Sequence, residues 1–213
     1  WEWDDPLVVI GSFQSYKNEI DQEALERHGM RVVRRVTGGG AMFMEAGNCI
    51  TYSLIVPTAL VEGLSFEQSY AYLDEWVIAA LKKVGVNATY VPLNDIASDK
   101  GKIGGAAQKR FADGSMVHHV TMSYDIDADK MLDVLRIGRE KLSDKGTKSA
   151  KKRVDPMRSQ TGMAREDIIA SFLDTFNDRY DTRESDFTAD EMRRAEELVE
   201  SKFTADEWTY KVP

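Results

Sequence analysis

The chain has 213 residues, 42% of them apolar, which is enough for one ordinary domain with a sizeable core. Its formal net charge of −8 argues against general nucleic-acid binding, and its single cysteine, Cys49, excludes an internal disulfide and makes a reduced, cytoplasmic setting the expectation. With no run of 18 apolar residues and no signal-like start, neither a membrane span nor secretion is expected.

In chain order, Leu7–Ile10 predicts a buried strand, and Asp21–His28 a short helix stopped by Gly29. Arg31–Arg35 predicts a strand running into three consecutive glycines, Gly38, Gly39 and Gly40. The β-rich run Cys49–Val56 ends at Pro57. Ser65 with Gln68 is a capping-box pair opening a helix through about Val84, whose apolar residues Tyr70, Leu73, Trp76, Val77, Ala80 and Leu81 fall on one face and read as core. Thr89–Val91 and Lys102–Arg110 predict strands, and Asp113-Gly114 a hairpin turn returning as Met116–Tyr124. Helices are predicted over Asp127–Leu135 and Glu166–Phe176, with a last amphipathic one capped by Thr188 and Glu191 and running to about Lys202.

Two separated segments place glycines beside charge. In RRVTGGGAMFMEAGN (34–48) the backbone is free to approach a ligand closely, and in NDIASDKGKIGGAA (94–107) a cation, Lys102, stands just before Gly104 and Gly105. Together they predict one anion-binding site. Arg34 and Arg35 are adjacent on a strand, so only one can face that site. Asn48, after Gly47, is placed to fix the end of its loop and is kept as a candidate contact. Asp95 offers a hard oxygen ligand for Mg²⁺, although Asn94-Asp95 after Pro92 also reads as an Asx turn. His118 and His119 alternate in facing, so one reaches the pocket while the other is structural, and His118 is taken as the contact. Cys49, opening an apolar strand, reads as a small buried residue rather than a thiol nucleophile. Between 139 and 153, seven basic residues stand against Glu140 and Asp144. That run reads either as a solvated surface or as a patch closing over a nucleotide or an acidic acceptor.

The order RRVTGGGA, GN, ND, GKIGGAA, HHVT resembles the catalytic domain of the lipoate–protein ligase A family, within the wider biotin/lipoate ligase and octanoyltransferase fold group. The resemblance covers nearly the whole chain. It implies an α/β (α+β) fold with a mainly antiparallel or mixed sheet flanked by helices, in a single catalytic domain over 1–213. It also implies that a family strand and helix ahead of Trp1 are missing and that no small C-terminal accessory domain follows. By resemblance the enzyme activates lipoate or octanoate with ATP and Mg²⁺ and transfers the acyl group to a lysine of an acceptor, a 2-oxoacid dehydrogenase E2 lipoyl domain or glycine-cleavage H protein, with a separate accessory protein as a possible partner. Lys102 matches the essential lysine. Arg34 or Arg35, Gly38, Gly39, Gly40, Asn94, Gly104, Gly105, Ala106 and His118 match the substrate and nucleotide wall, with Asp95 as metal ligand. An ATP-independent carrier-to-carrier transferase and a non-catalytic acyl- or nucleotide-binding protein are the alternatives. The chain departs from the family wording at Met44-Glu45, where His-Asp is usual, so a polar pocket contact becomes apolar.

Overall fold

The computed structural model describes residues 1–136 and 154–213, so the basic run at 139–153 lies outside the described residues. Its strands form two sheets. In the smaller, β1 (Leu7–Ile10) lies between β2 (Arg31–Arg34), parallel to it, and β3 (Met42–Met44), antiparallel to it. The larger is a five-stranded antiparallel sheet of β4 (Cys49–Pro57), β5 (Ala88–Val91), β6 (Asp95–Ser98), β7 (Gly101–Arg110) and β8 (Ser115–Ser123), in the order β4-β8-β7-β6-β5.

Helices cover one face of each sheet. The parallel step from β1 to β2 runs through α1 (Tyr16–Glu19) and α2 (Gln22–Arg27); the Asp21 carboxylate caps α2 by accepting from the Ala24 amide, and Gly29 ends the turn at φ 62°. With α4 (Ala128–Val134), α2 packs Leu25 and Val134 against Val8, Ile10 and Phe43 of the small sheet. α3 (Phe66–Lys83) begins at the predicted Ser65/Gln68 capping box and buries Trp76, Val77, Ala80 and Leu81 against Ile103, Ala106, Val120 and Met122 of the large one. α6 (Arg165–Arg179) adds Ile168 and Phe172 to that cluster, after the short α5 (Met157–Thr161). Each large apolar side chain so buried contributes about 1.5–3 kcal/mol. The chain closes with α7 (Ala189–Leu198), capped by Thr188 and Glu191 and with no buried residue, then a π turn (Val199–Phe203) and α8 (Asp206–Thr209).

One irregularity decides what β7 presents. On β6, Ile96 pairs with Gly104 but the next residue, Ala97, pairs with Lys102, so Ile103 is an extra residue. Such a bulge reverses the alternation of the strand beyond it. Ile103 and Gly104 therefore both face the helical core, while Lys102 and Gly105 both face the other side. The faces that the helices leave uncovered, carrying Val9, Val33, Met42 and Met44 on the small sheet and Gly105, Ala107, His119 and Thr121 on the large one, enclose a cavity.

Candidate active site

That cavity holds about 590 Å³, within the range of small-molecule sites. Its apolar wall is built from Trp3, Val9, Val33, Met42 and Met44, which pack together with Cys49 in one cluster. Its polar groups are Lys102, Asn94, Arg35, His119 and Thr121, and Val199, Phe203 and Thr204 of the C-terminal segment border it. A long apolar wall beside a small set of cations and donors suits an acid with a hydrocarbon tail.

Lys102 is the predicted central cation, and the bulge at Ile103 turns it into the cavity. Its Nζ lies 2.6 Å from Asp95 Oδ1 and 3.3 Å from where a β-carbon on Gly105 would stand. Any side chain at 105 would crowd the ammonium. Asn94 also borders the cavity, its amide donating to the Ala106 carbonyl at 2.6 Å while its own carbonyl accepts from the Ala106 amide at 2.8 Å. Gly104 points the other way, where a β-carbon would meet the Thr121 carbonyl oxygen at 2.7 Å. Its glycine is required by close strand packing in the core, not by a ligand. Among the described residues no group of three or more His, Cys, Asp or Glu side chains could hold a metal. Asp95, predicted as the metal ligand, is a single carboxylate already paired with Lys102.

The two arginines divide as their alternation requires, but both serve the protein. Arg34 is 1% exposed, and its guanidinium donates to the carbonyls of Gly11 (2.9 Å), Gln14 (2.7 Å) and Thr209 (2.8 Å). Arg34 borders the cavity, but these bonds occupy its guanidinium, which clamps the C-terminal segment to the loop after β1. Arg35 borders the cavity and grips the glycine loop, donating to the carbonyls of Gly38 (2.6 Å), Gly40 (2.9 Å) and Val9 (3.1 Å) and to Thr37 Oγ1 (2.9 Å). Burial lowers its pKa to about 10, which leaves it charged at neutral pH. The loop is held as tightly from outside. At Gly11 a β-carbon would lie 2.2 Å from the Gly39 carbonyl oxygen, and Gly39 itself has φ 91°. Of the three glycines, Gly40 lines the cavity and Gly38 backs onto Phe13.

The histidine facing the cavity is His119. His118 is fully buried on the opposite face of β8, with Nε2 2.7 Å from Asp74 Oδ1 and Nδ1 3.1 Å from Gln108 Nε2, so its selection as a contact is corrected by one residue of strand alternation. His119 Nε2 lies 2.7 Å from Thr37 Oγ1. The same hydroxyl accepts from Arg35 Nε, so Thr37 links the arginine to the imidazole. Desolvation, then the Arg35 charge, pushes the pKa of His119 down to about 4. Thr37, wholly buried, was not singled out from sequence; its place between the arginine and the glycines was the available signal.

Asn48 does not line the cavity. Its side-chain oxygen accepts from the Glu45 amide at 2.9 Å and its backbone carbonyl takes the amides of Tyr124 and Asp125, so it fixes the loop and is no substrate contact here. Cys49 is buried, and desolvation pushes its thiol up to about 12. Burial thus disfavours the thiolate form that a nucleophile would need.

The model of the lipoyl protein ligase A/B catalytic domain matches residues 1–177. The chain is 28% identical to lipoate–protein ligase 1 of Staphylococcus aureus over 207 residues, covering 96% of this chain and 61% of that protein. It is 27% identical over 239 residues to an octanoyltransferase LipM of Kyrpidia tusciae, covering 98% of this chain and 85% of that one. A Thermoplasma acidophilum structure, described as a bipartite lipoate protein ligase studied with its E2 lipoyl domain, superposes with a TM-score of 0.86 at 27% identity, over 98% of this chain and 82% of that one. Fold, cavity and sequence thus agree, and the chain belongs to the lipoyl protein ligase A/B catalytic domain family.

Proposed function

We propose that the protein activates lipoate or octanoate with ATP to an acyl-adenylate and transfers the acyl group to a lysine of an acceptor domain. The observation that carries the reading is the position of Lys102, turned by the bulge at Ile103 into a cavity whose opposite wall is apolar. Joining a carboxylate to an amine in water requires activation, and attack of the carboxylate on the α-phosphate brings two anions together. Lys102 neutralises charge shared between them and follows it into the transition state, while Trp3, Val9, Val33, Met42 and Met44 take the hydrocarbon tail. The glycine loop, braced by Arg35, walls the adenylate. Magnesium, carried in on the phosphates, would find in Asp95 one carboxylate and would supply phosphate charge neutralisation.

The likeness to an octanoyltransferase keeps a second reading, transfer between carrier proteins without ATP. Burial of Cys49 with its raised thiol pKa speaks against a thioester on that residue. In a non-catalytic acyl-binding role Lys102 would only anchor the carboxylate, and the turnover assays separate that role from the other two.

The test is mass spectrometry of the purified protein after incubation with MgATP and lipoate or octanoate. Retained acyl-AMP with released pyrophosphate, both absent in Lys102→Ala, is the expected result. Acyl transfer from an octanoylated carrier with no nucleotide added would replace the ligase by the transferase, and binding of the acid without turnover in either assay would replace both.

A further inference from the structure

In a chain of net charge −8, one stretch of surface beside the cavity gathers lysines that form no ion pair among the described residues. Lys202 and Lys211 come from the C-terminal segment and share the Trp208 ring, at 4.2 and 3.9 Å from its centroid. Lys109 follows the cavity-lining Ala107 by two positions on the same face of β7 and stands 5.2 Å from the Phe111 ring. Among the described residues none of the three lysines forms an ion pair, and their charges reinforce one another. The pKa of Lys211 is lowered first by desolvation and then by Arg34, Lys202 and Lys109.

Aromatic rings are interleaved with these charges. Phe13, 81% exposed, lies 5.9 Å from Lys211 and touches the glycine loop at Gly38, while Phe203 lines the cavity beneath Lys202, which stands 5.4 Å from its ring. The cluster therefore joins the glycine loop, β7 and the C-terminal segment, three elements that border the cavity. Like charges held close together without direct ion pairs repel one another in the free protein, and that repulsion is relieved when an oppositely charged surface covers them.

We propose that this basic and aromatic rim docks the acceptor protein, and that the acceptor presents its target lysine from a surface rich in carboxylates. The inference rests on the acyl-transfer reading but names a surface and a partner chemistry outside the cavity. Attraction between the rim and an acidic face orients the acceptor lysine toward the cavity mouth, and Phe13 supplies apolar contact at its centre.

The experiment compares the wild-type protein with Lys109→Glu/Lys202→Glu in binding to a recombinant apo E2 lipoyl domain, by calorimetry at low and high NaCl. Direct binding requires no turnover, so its result is independent of which reaction the cavity performs. The expected result is affinity weakened about tenfold or more, with most of the salt dependence lost and the melting temperature and binding of lipoate unchanged. Reversing the charge of carboxylates flanking the domain's target lysine should weaken binding to wild type and restore it to the Glu variant. Unchanged affinity and salt dependence in the double variant overturn the proposal, as does a wild-type protein that binds heparin but not the domain. The milder Lys109→Gln/Lys202→Gln variant, expected to fall between the two, serves if the Glu variant does not fold.

Discussion

Lys102 Nζ and Asp95 Oδ1 lie 2.6 Å apart across neighbouring strands at the cavity wall, a pairing that holds the ammonium in place before any anion arrives. Both side chains remain partly exposed, so the pair contributes little to folding, about 0–1 kcal/mol. Its value lies in orientation. Lys102→Ala should slow adenylate formation by about two to three orders of magnitude while the melting temperature stays within about 2 °C. Asp95→Asn should cost less, about tenfold, by releasing the lysine rather than removing it. Pyrophosphate release and thermal denaturation measured on the same samples check both; a Lys102→Ala enzyme at full rate would remove the central assignment.

His119 gives a pH prediction with a defined sign. Its folded-state pKa of about 4 lies below the ordinary 6.5, so between these values the unfolded chain binds a proton that the folded one refuses. Stability is fully present above about pH 6.5 and is lost as pH falls toward 4, by up to about 3 kcal/mol. His119→Gln, which can keep a hydrogen bond to Thr37, should flatten that part of the profile in urea denaturation between pH 4 and 7. Parallel profiles for the two proteins would show that the slope arises elsewhere.

Cys49→Ala should retain acyl transfer within about threefold and lose about 1 kcal/mol of stability, because the thiol is buried packing. Labelling of native wild-type protein with iodoacetamide should be slow at pH 8, since the thiol pKa is about 12. Abolished transfer in a folded Cys49→Ala protein would instead require a thioester.

Arg34→Met should be the most destabilising of these substitutions, about 3 kcal/mol or more. It leaves the carbonyls of Gly11, Gln14 and Thr209 without their buried donor. Hydrogen exchange should rise first in residues 205–213, whose Thr209 carbonyl the guanidinium holds and whose Trp208 indole donates to the Arg34 carbonyl at 2.7 Å. Uniform exchange across the chain would mean that the clamp is not local.

The longer elements were readable, while β3, β6 and the short helices α1 and α5 were not. Capping pairs at Ser65/Gln68 and Thr188/Glu191 and the apolar stripe of α3 state their structure locally, and both proved correct. The sequence singles out Lys102, which borders the cavity, but not the reason for its facing, because strand alternation counted along 102–110 puts Lys102 on the side of Gly104. A bulge depends on the pairing partner, and no residue type in β7 announces it. The same limit explains His118. Adjacent identical residues on a strand are equivalent in sequence, and only the third dimension says which faces the cavity.

The splice at Ile103 also separates the packing of the core from the placing of the charge. Substituting a smaller apolar residue there would leave a void, whereas deleting it would close the strand into regular alternation, with Lys102 next to Gly104, still opposite Ala97 and still on the cavity side. A single missing residue would then remove core packing beside Trp76 and Leu81 and leave the cation of the site in place.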